Sequence, residues 1–374
     1  MMKDKLYELI KSRQIYVDLF KANLKKPIID KGFVKENIDK ILKDGVAENI
    51  IINKTSGTTG EFLSVYWDKK DYINSNMQLW HLRNKWYNIC PNDKLACFYL
   101  SSNSNVNSEK YIIKNNVLSI KRGNYTIYEL KILIEKIIDF SPIWIQAPIS
   151  IMLLICNYVS KHNIKFSCLR YIELNGEFAT LENINYIKNM FGVPVGNLYG
   201  SIEFNGIALT CPYNHMHVLY NNVLVETDDD NNLIITSLTN TYMPLIRYKI
   251  GDIGIIKNNN CACGFKGNIL DLQRGRDKEV VELYNLCIDY RSFVNIVIYI
   301  NNDYGRDIIK QYYINKENNI IMLYCVVLDE DIWDLSSKIS FYKEVIPLNI
   351  DYGIKLISIS ELDLSSKFKL LKKE

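Results

Sequence analysis

The apolar positions along this chain change their spacing several times, and each change predicts a different element. Helical spacing is found over residues 68–87, 125–139 and 181–191. Short apolar runs typical of buried strands lie between these helices, at residues 95–100, 143–145 and 169–174. Strands that alternate with helices in this way predict a largely parallel α/β core.

The pattern is different on either side of this core. Residues 1–44 have helical spacing. After residue 203 the apolar runs shorten and turns become frequent, which predicts a small β layer. Beyond Arg276 a compact α+β module is expected. Residues 294–300 and 354–359 alternate as in strands, residues 320–328 form an apolar run, and residues 331–345 have helical spacing.

One segment, residues 140–160, contains no charged side chain, as a membrane span would. Pro142, Pro148, Gln146 and Asn157 interrupt it. We therefore interpret it as a short buried strand followed by a helix that begins near Ser150. No membrane partner is expected.

Composition limits the class of protein. A chain of 374 residues suggests two domains, and a net charge of +3 does not favour a nucleic-acid partner. Nine cysteines lack the dense spacing of a secreted disulfide scaffold, and residues 1–16 contain no continuous apolar stretch of a signal peptide. A cytoplasmic protein is expected, and its oligomeric state, a homodimer included, is left open.

A loop rich in hydroxyl groups and glycine follows the apolar run at residues 50–52. It consists of Thr55, Ser56, Gly57, Thr58, Thr59 and Gly60. Hydroxyls, and backbone N–H groups that glycine lets approach closely, can surround a polyphosphate. It is not a Walker loop, because Glu61 and not lysine follows Gly60. Alone it is ambiguous, since an ordinary turn has the same composition.

Three further stretches follow the loop in order. They read YGSIE at residues 199–203, PLIRYKIGD at 244–252 and RGRDKE at 274–279. Together with the loop they resemble the motifs of the adenylate-forming enzyme superfamily, in its phenylacetate–CoA ligase-like branch. The order and spacing run from the loop to the end of the chain.

The resemblance implies both fold and activity. The expected fold is α/β, with a large adenylation domain (residues 1–277) of mixed sheets, helices and a small β layer. A small, mobile α+β domain (residues 278–374) would rotate about Lys278. The implied activity is ATP-dependent conversion of a carboxylic acid to an acyl-adenylate, followed by thioester formation with CoA. The expected substrates and cofactors are therefore ATP, Mg²⁺, CoA and a small acid.

The resemblance also assigns roles to single residues. Glu203 would bind Mg²⁺, Lys367 would bridge the carboxylate and the α-phosphate, and Asp252 with Arg276 would bind the ribose. The loop from Thr55 to Gly60 would hold the β- and γ-phosphates. Further nucleotide-binding positions in the family match Gly176, Glu177, Asn197, Tyr199, Gly200 and Ser201.

Several positions depart from the family pattern and keep alternatives open. Ile202 replaces the usual hydroxyl residue before Glu203, and Ser366 replaces the glycine before Lys367. Lys367 also lies among other lysines, as in a solvated basic tail. Transfer to a carrier-protein thiol or an amine, and a catalytically degenerate binding protein, are therefore retained. The acid is not specified, although Trp80, Phe98 or Tyr99 could line its pocket.

A second set of residues suggests a metal. Cys211, His215 and His217 lie close in sequence, and Cys261 and Cys263 form a Cys-x-Cys-Gly motif. Three thiolates and one imidazole form a common set of ligands for structural zinc, although isolated cysteines are more often buried thiols. A similar pattern in the resembled branch favours His217 over His215. The expected zinc ligands are thus Cys211, His217, Cys261 and Cys263.

Overall fold

The structure is a computed structural model that describes residues 2–22, 26–43, 49–55, 62–99, 109–123, 125–258, 260–276, 280–283, 286–289, 291–317, 320–345 and 352–362. The chain divides into two compact units. Unit 1 comprises Met1–Pro91 and Gly196–Asp277, and unit 2 comprises Asn92–Val195 and Lys278–Glu374. One boundary falls at the expected hinge before Lys278. The proposed division into an adenylation domain and a mobile domain stays a prediction.

Most of the described helices follow the helical spacing of the sequence, and the helix at Arg291–Asp303 is an exception. They are α1 (Met2–Lys11), α2 (Gln14–Ala22), α3 (Lys31–Glu36), α4 (Ile38–Ile41), α5 (Lys69–Tyr87), α6 (Ile127–Phe140), α7 (Ile149–His162), α8 (Leu181–Phe191), α9 (Arg291–Asp303) and α10 (Ile332–Val345). Local signals set their ends. The Asp68 side chain accepts a hydrogen bond from the N–H of Lys70 at the start of α5, and Thr126 and Glu129 form a capping box at the start of α6.

The strands are short, as the apolar runs predict. They are β1 (Ile50–Lys54), β2 (Ser64–Asp68), β3 (Leu95–Tyr99), β4 (Tyr111–Lys114), β5 (Val117–Lys121), β6 (Trp144–Ala147), β7 (Tyr171–Asn175), β8 (Val195–Ser201), β9 (Asn205–Thr210), β10 (Met216–Val218), β11 (Val223–Thr227), β12 (Asn232–Ser237), β13 (Tyr248–Lys257), β14 (Ile269–Arg276), β15 (Val280–Leu283), β16 (Leu286–Asp289), β17 (Gln311–Glu317), β18 (Ile320–Val327) and β19 (Tyr352–Ser358).

Unit 1 is built on antiparallel strands. Its sheet has the order β11-β12-β13-β14-β10-β9-β8, and β1 and β2 form a separate hairpin. The strand pairs described in this sheet are antiparallel. Its core includes the fully buried side chains of Tyr16, Trp67 and Phe204. The shorter apolar runs after residue 203 thus belong to the expected β layer.

Unit 2 contains the expected parallel core. Its sheet has the order β7-β6-β3-β5-β4, in which β7, β6, β3 and β5 are parallel and β4 is antiparallel. Residues Ile149 to Val159 of α7 are all buried. This confirms that the charge-free segment is a buried strand and helix. No helix among the described residues is long and apolar enough to cross a bilayer.

The end of the chain forms the expected α+β module. Strand β18 pairs antiparallel with β17 and parallel with β19, beside α9 and α10. The strand expected at residues 294–300 is wrong, because this segment is in α9. Ile296 and Ile300 fit both a period of two and a helical turn, and the buried Phe293 and Val297 complete a helical face.

The module shares a hydrophobic core with the parallel sheet of unit 2. Val326, Ile359 and Leu362 belong to the same buried cluster as the side chains of α6 and α7. A polar contact lies beside it: Asp329 accepts hydrogen bonds from Lys161 (2.5 Å) and Asn157 (3.1 Å) of α7. This carboxylate therefore joins α7 to the module.

The half-buried carboxylate of Asp329 has the electrostatic properties of a stabilising acid. Burial tends to raise its pKa, but hydrogen bonds from Lys161, Ser358 and Asn157 lower the pKa to about 2. The carboxyl group is thus more acidic in the folded state than in the unfolded chain. Its contribution to stability is present above about pH 4 and is lost as the pH falls towards 2.

We expect Asp329→Ala to lower the free energy of unfolding by about 2 kcal/mol at pH 7, because Lys161 and Asn157 lose their shared acceptor. Urea unfolding at several pH values measures it, and the difference from wild type should shrink between pH 4 and pH 3. Asp334→Ala is the control, since Asp334 forms an exposed pair with Lys338 (3.9 Å). Equal losses in both variants would contradict the assignment.

Candidate nucleotide site and metal-ligand cluster

The neck of the expected phosphate loop is a hairpin. Lys54 of β1 lies opposite Ser64 of β2. The Thr55 N–H donates to the carbonyl of Leu63 (2.9 Å), and the Leu63 N–H donates to Thr55 Oγ1 (2.9 Å). The rest of the loop, Ser56 to Gly60, lies outside the described residues. Both ends of the loop are therefore fixed by backbone pairing.

The turn between β8 and β9 requires glycine at position 200. Gly200 lies opposite Gly206, and a Cβ atom at Gly200 would be 2.5 Å from the carbonyl oxygen of Asn205. Such a contact is far shorter than van der Waals separation. Asn205 itself is in the left-handed region (φ 58°). The glycine of the YGSIE motif thus lets the two strands approach closely.

Two polar side chains next to this turn have no described partner. The hydroxyl of Ser201 is buried and makes no hydrogen bond to a described residue. The half-buried carboxylate of Glu203 makes neither a hydrogen bond nor an ion pair within the described part of the chain. Ile202 between them is 37% exposed. A hydroxyl and a carboxylate are thus available to a ligand or a hard cation.

Tyr199 and Asp252 are in direct contact. The Tyr199 hydroxyl donates to Asp252 Oδ2 (2.8 Å). Asp252 follows Gly251, whose φ of +88° suits glycine, and it lies opposite Arg276 in the pairing of β13 with β14. The structure therefore brings together three of the expected nucleotide-binding positions, although the Arg276 side chain lies outside the described atoms.

The remaining expected nucleotide residues are found in both units. Asn197 of β8 is buried, and its carbonyl accepts a hydrogen bond from the Thr210 hydroxyl (3.2 Å) in unit 1. Gly176 and Glu177 follow β7 in unit 2, and Gly176 has a φ of +75°. Arg122, which sequence reasoning missed, pairs with Glu177 at 2.6 Å.

Other expected positions have different outcomes. Lys278 and Lys367 lie outside the described residues. Phe98 is 9% exposed and belongs to the hydrophobic core of unit 2, and the residues that line the acid pocket stay a prediction. Alternation along β3 predicts this burial, because Phe98 lies on the same face as Ala96.

The four expected metal ligands converge in unit 1. The ligand atoms of Cys211, His217, Cys261 and Cys263 all lie within 4.8 Å of one another. The sulfur atoms of Cys211 and Cys261 are 3.7 Å apart, and Cys263 Sγ is 3.2 Å from His217 Nε2. Tetrahedral bonds of about 2.3 Å from zinc to sulfur would place two sulfur atoms about 3.8 Å apart. The donor set therefore fits one tetrahedral ion.

Surrounding contacts orient the imidazole of His217. This residue is fully buried in β10, and its Nδ1–H donates to the carbonyl of Gly267 (3.0 Å). Because Nδ1 carries the proton, Nε2 has a free lone pair and can bind a metal. Nε2 is also the ring atom nearest the thiols. Trp86 and Phe265 pack around the ring at centroid distances of 5.9 and 5.7 Å. The preference for His217 over His215 agrees with this geometry.

His215 lies at the edge of the same cluster. Its Nδ1 is 3.1 Å from Cys261 Sγ. Burial tends to raise the pKa of the Cys261 thiol, but hydrogen bonds from the Cys263 backbone and from His215 lower it to about 6. Burial raises the pKa of the Cys211 thiol to about 12. The environment therefore lowers the pKa of one thiol in the cluster and raises that of another.

Comparisons with known proteins agree with the fold. No family model matches the chain. Protein CapK of Staphylococcus aureus is 24% identical over 326 residues, which cover 80% of this chain and 72% of CapK. The structure is similar to 2-hydroxyisobutyryl-CoA ligase in the postadenylation state (TM-score 0.71, 11% identity), covering 100% of this chain and 89% of that one.

A second solved structure extends the comparison. The amide bond synthetase McbA of Marinactinospora thermotolerans is similar over 84% of this chain and 68% of its own, with a TM-score of 0.51 and 12% identity. The fold is thus that of the adenylate-forming enzymes, as the sequence motifs imply. At these identities the likeness establishes the fold alone.

Proposed function

We propose that this chain uses ATP to convert a small carboxylic acid to an acyl-adenylate and then transfers the acyl group to the thiol of CoA. The contact between Tyr199 and Asp252, beside the Gly200 turn, carries the proposal. It joins two sequence motifs that are 53 residues apart, in a chain with the adenylate-forming fold. Neither motif alone would distinguish a nucleotide site from a turn.

The chemistry explains the residue types. An oxygen of the carboxylate attacks the α-phosphorus of ATP, the bond to the β-phosphate oxygen breaks, and pyrophosphate leaves. Because both reactants are anions, catalysis depends on positioning and on neutralising charge. In this proposal Asp252 and Arg276 hold the ribose, Thr55 to Gly60 hold the leaving phosphates, and Lys367 bridges carboxylate and α-phosphate.

Glu203 is the proposed ligand for Mg²⁺. Its carboxylate is half-buried and has no described partner, which suits a hard cation. When bound, the ion would reduce the repulsion between the phosphates and the incoming carboxylate. The buried hydroxyl of Ser201 is available to the same nucleotide.

The proposal also includes the acceptor of the acyl group and a rotation of the C-terminal module. Similarity to a CoA ligase supports CoA, with the module after Lys278 rotating between the two half-reactions. Similarity to an amide bond synthetase supports an amine as the second candidate, and a carrier-protein thiol is the other acceptor of this kind. A catalytically degenerate binding protein is the third candidate, because Ile202 replaces a residue whose hydroxyl would lie near the α-phosphate.

For the four-residue cluster we propose a structural zinc ion. We also propose that the protein is cytoplasmic. Cys211, His217, Cys261 and Cys263 would use all four tetrahedral positions, so none remains for substrate. Cys211 follows β9, whereas Cys261 and Cys263 lie between β13 and β14. The ion would therefore tie two distant turns of the β layer together.

The first prediction from this proposal concerns adenylation. Wild-type protein should exchange labelled pyrophosphate into ATP when one member of a panel of small acids is present, because the first step is reversible. Lys367→Ala should abolish this exchange by removing the bridging charge. Lys369→Ala, which changes a neighbouring lysine of the same basic tail, is the matched control and should exchange normally.

The outcomes separate the candidates. Exchange with consumption of CoA supports the thioester, and exchange without it favours an amine or a carrier-protein thiol. ATP binding without exchange for any acid would favour the degenerate protein and overturn the proposed activity. Equal rates in the two lysine variants would remove Lys367 from its role.

The second prediction concerns the metal. Purified protein should contain about one zinc per chain, and chelation should lower its melting temperature because the β layer loses a cross-link. Cys263→Ser should lose most of the zinc, whereas Cys168→Ser, which changes an exposed free thiol, should retain it. Elemental analysis and thermal unfolding measure both effects, and wild-type protein that is stable without metal would eliminate the site.

A further inference from the structure

A buried ion pair in unit 2 lies outside the residues that the motifs identify. Arg122 follows β5, where its backbone N–H donates to the carbonyl of Tyr99 (2.9 Å). Its Nη2 atom is 2.6 Å from Oε1 of Glu177, and the side chains of the two residues are only 5% and 2% exposed. Such a pair is costly to desolvate, and it is strongly destabilised when one partner is removed.

The second oxygen of Glu177 is also engaged. The backbone N–H of Ser150, in the first turn of α7, donates to Oε2 (3.1 Å). Helix α7 has no side-chain cap, and the positive end of its dipole favours a carboxylate at this point. One acidic side chain therefore ties together the ends of β5 and β7 and the beginning of α7.

This arrangement constrains the backbone that precedes Glu177. Gly176 has a φ of +75°, and a Cβ there would meet no atom within 4 Å, so the backbone angle, not crowding, favours glycine. Because glycine has more backbone freedom than any other residue, the conformation of this loop depends on its neighbours. The pair with Arg122 and the bond to Ser150 supply that restraint.

We propose that Arg122 is a positioning residue for the nucleotide: through Glu177 it fixes the loop of residues 175–177, which contains two of the expected nucleotide-binding positions. This inference rests on the proposed function and on the family resemblance, which assigns Gly176 and Glu177 to the nucleotide. Arg122 acts through Glu177 and not on the reacting atoms. Its loss should therefore affect ATP much more than the acid.

The test is a comparison of Arg122→Met, Arg122→Lys and Arg306→Met. Arg122→Met keeps the apolar length of the side chain but removes its charge, and should raise both the Kd and the KM for ATP by about tenfold or more. The KM for the acid should change less than about threefold. Because the contact is a single N–H to one oxygen, Arg122→Lys should restore most of the affinity.

Arg306→Met is the matched control. Arg306 pairs with Asp331 (2.7 Å) in the C-terminal module, so its loss also breaks an ion pair in unit 2 but should leave ATP binding unchanged. If Arg122→Met does not fold, the double variant Arg122→Met, Glu177→Leu removes both buried charges and is measured in its place. Calorimetry with ATP and Mg²⁺ gives Kd without turnover.

The outcomes distinguish two failures. If wild-type protein does not bind ATP, the proposed function itself fails. If wild-type binds ATP, and a folded Arg122 variant binds it with equal affinity or loses affinity for ATP and acid in parallel, only the role of Arg122 is overturned. A selective loss for ATP that lysine restores supports the positioning role.

Discussion

The close approach of β8 and β9 is the constraint on which the candidate site depends. Any side chain at position 200 would collide with the Asn205 carbonyl, since even a Cβ would be 2.5 Å from its oxygen. With glycine there, Tyr199 reaches Asp252 at 2.8 Å. Ser201 and Glu203 come directly after this glycine in the sequence, and their side-chain polar groups have no partner among the described residues. One backbone contact thus sets the placement of several groups that the proposed chemistry needs.

The two units differ in how their partly or fully buried acidic side chains are paired. In unit 2 the acids Glu177 and Asp329 are satisfied internally, by Arg122 and by Lys161 respectively. In unit 1 the acid Glu203 has no described partner. A satisfied acid stabilises the fold, whereas an unsatisfied, partly buried acid is expected where a cation or substrate completes the site.

Sequence patterns predicted the parts of the structure that depend on local signals. Helix α7 follows from its apolar run and flanking prolines. Two short motifs assigned Tyr199 and Asp252 to one nucleotide site, and the structure adds the hydrogen bond between them. Helix α9 was missed because Ile296 and Ile300 fit two periods at once. The role of Arg122 could not be predicted, since its partner lies 55 residues later and no local pattern marks the pair.

The proposed reaction begins with the attack of a carboxylate oxygen on the α-phosphorus of ATP. It is tested by labelling both carboxylate oxygens of an acid that supports exchange with ¹⁸O and analysing the products by mass spectrometry. We expect one ¹⁸O atom in AMP after transfer of the acyl group, because the attacking oxygen stays with phosphorus when the acyl–oxygen bond breaks. Label found in orthophosphate, with ADP as the nucleotide product, would contradict it.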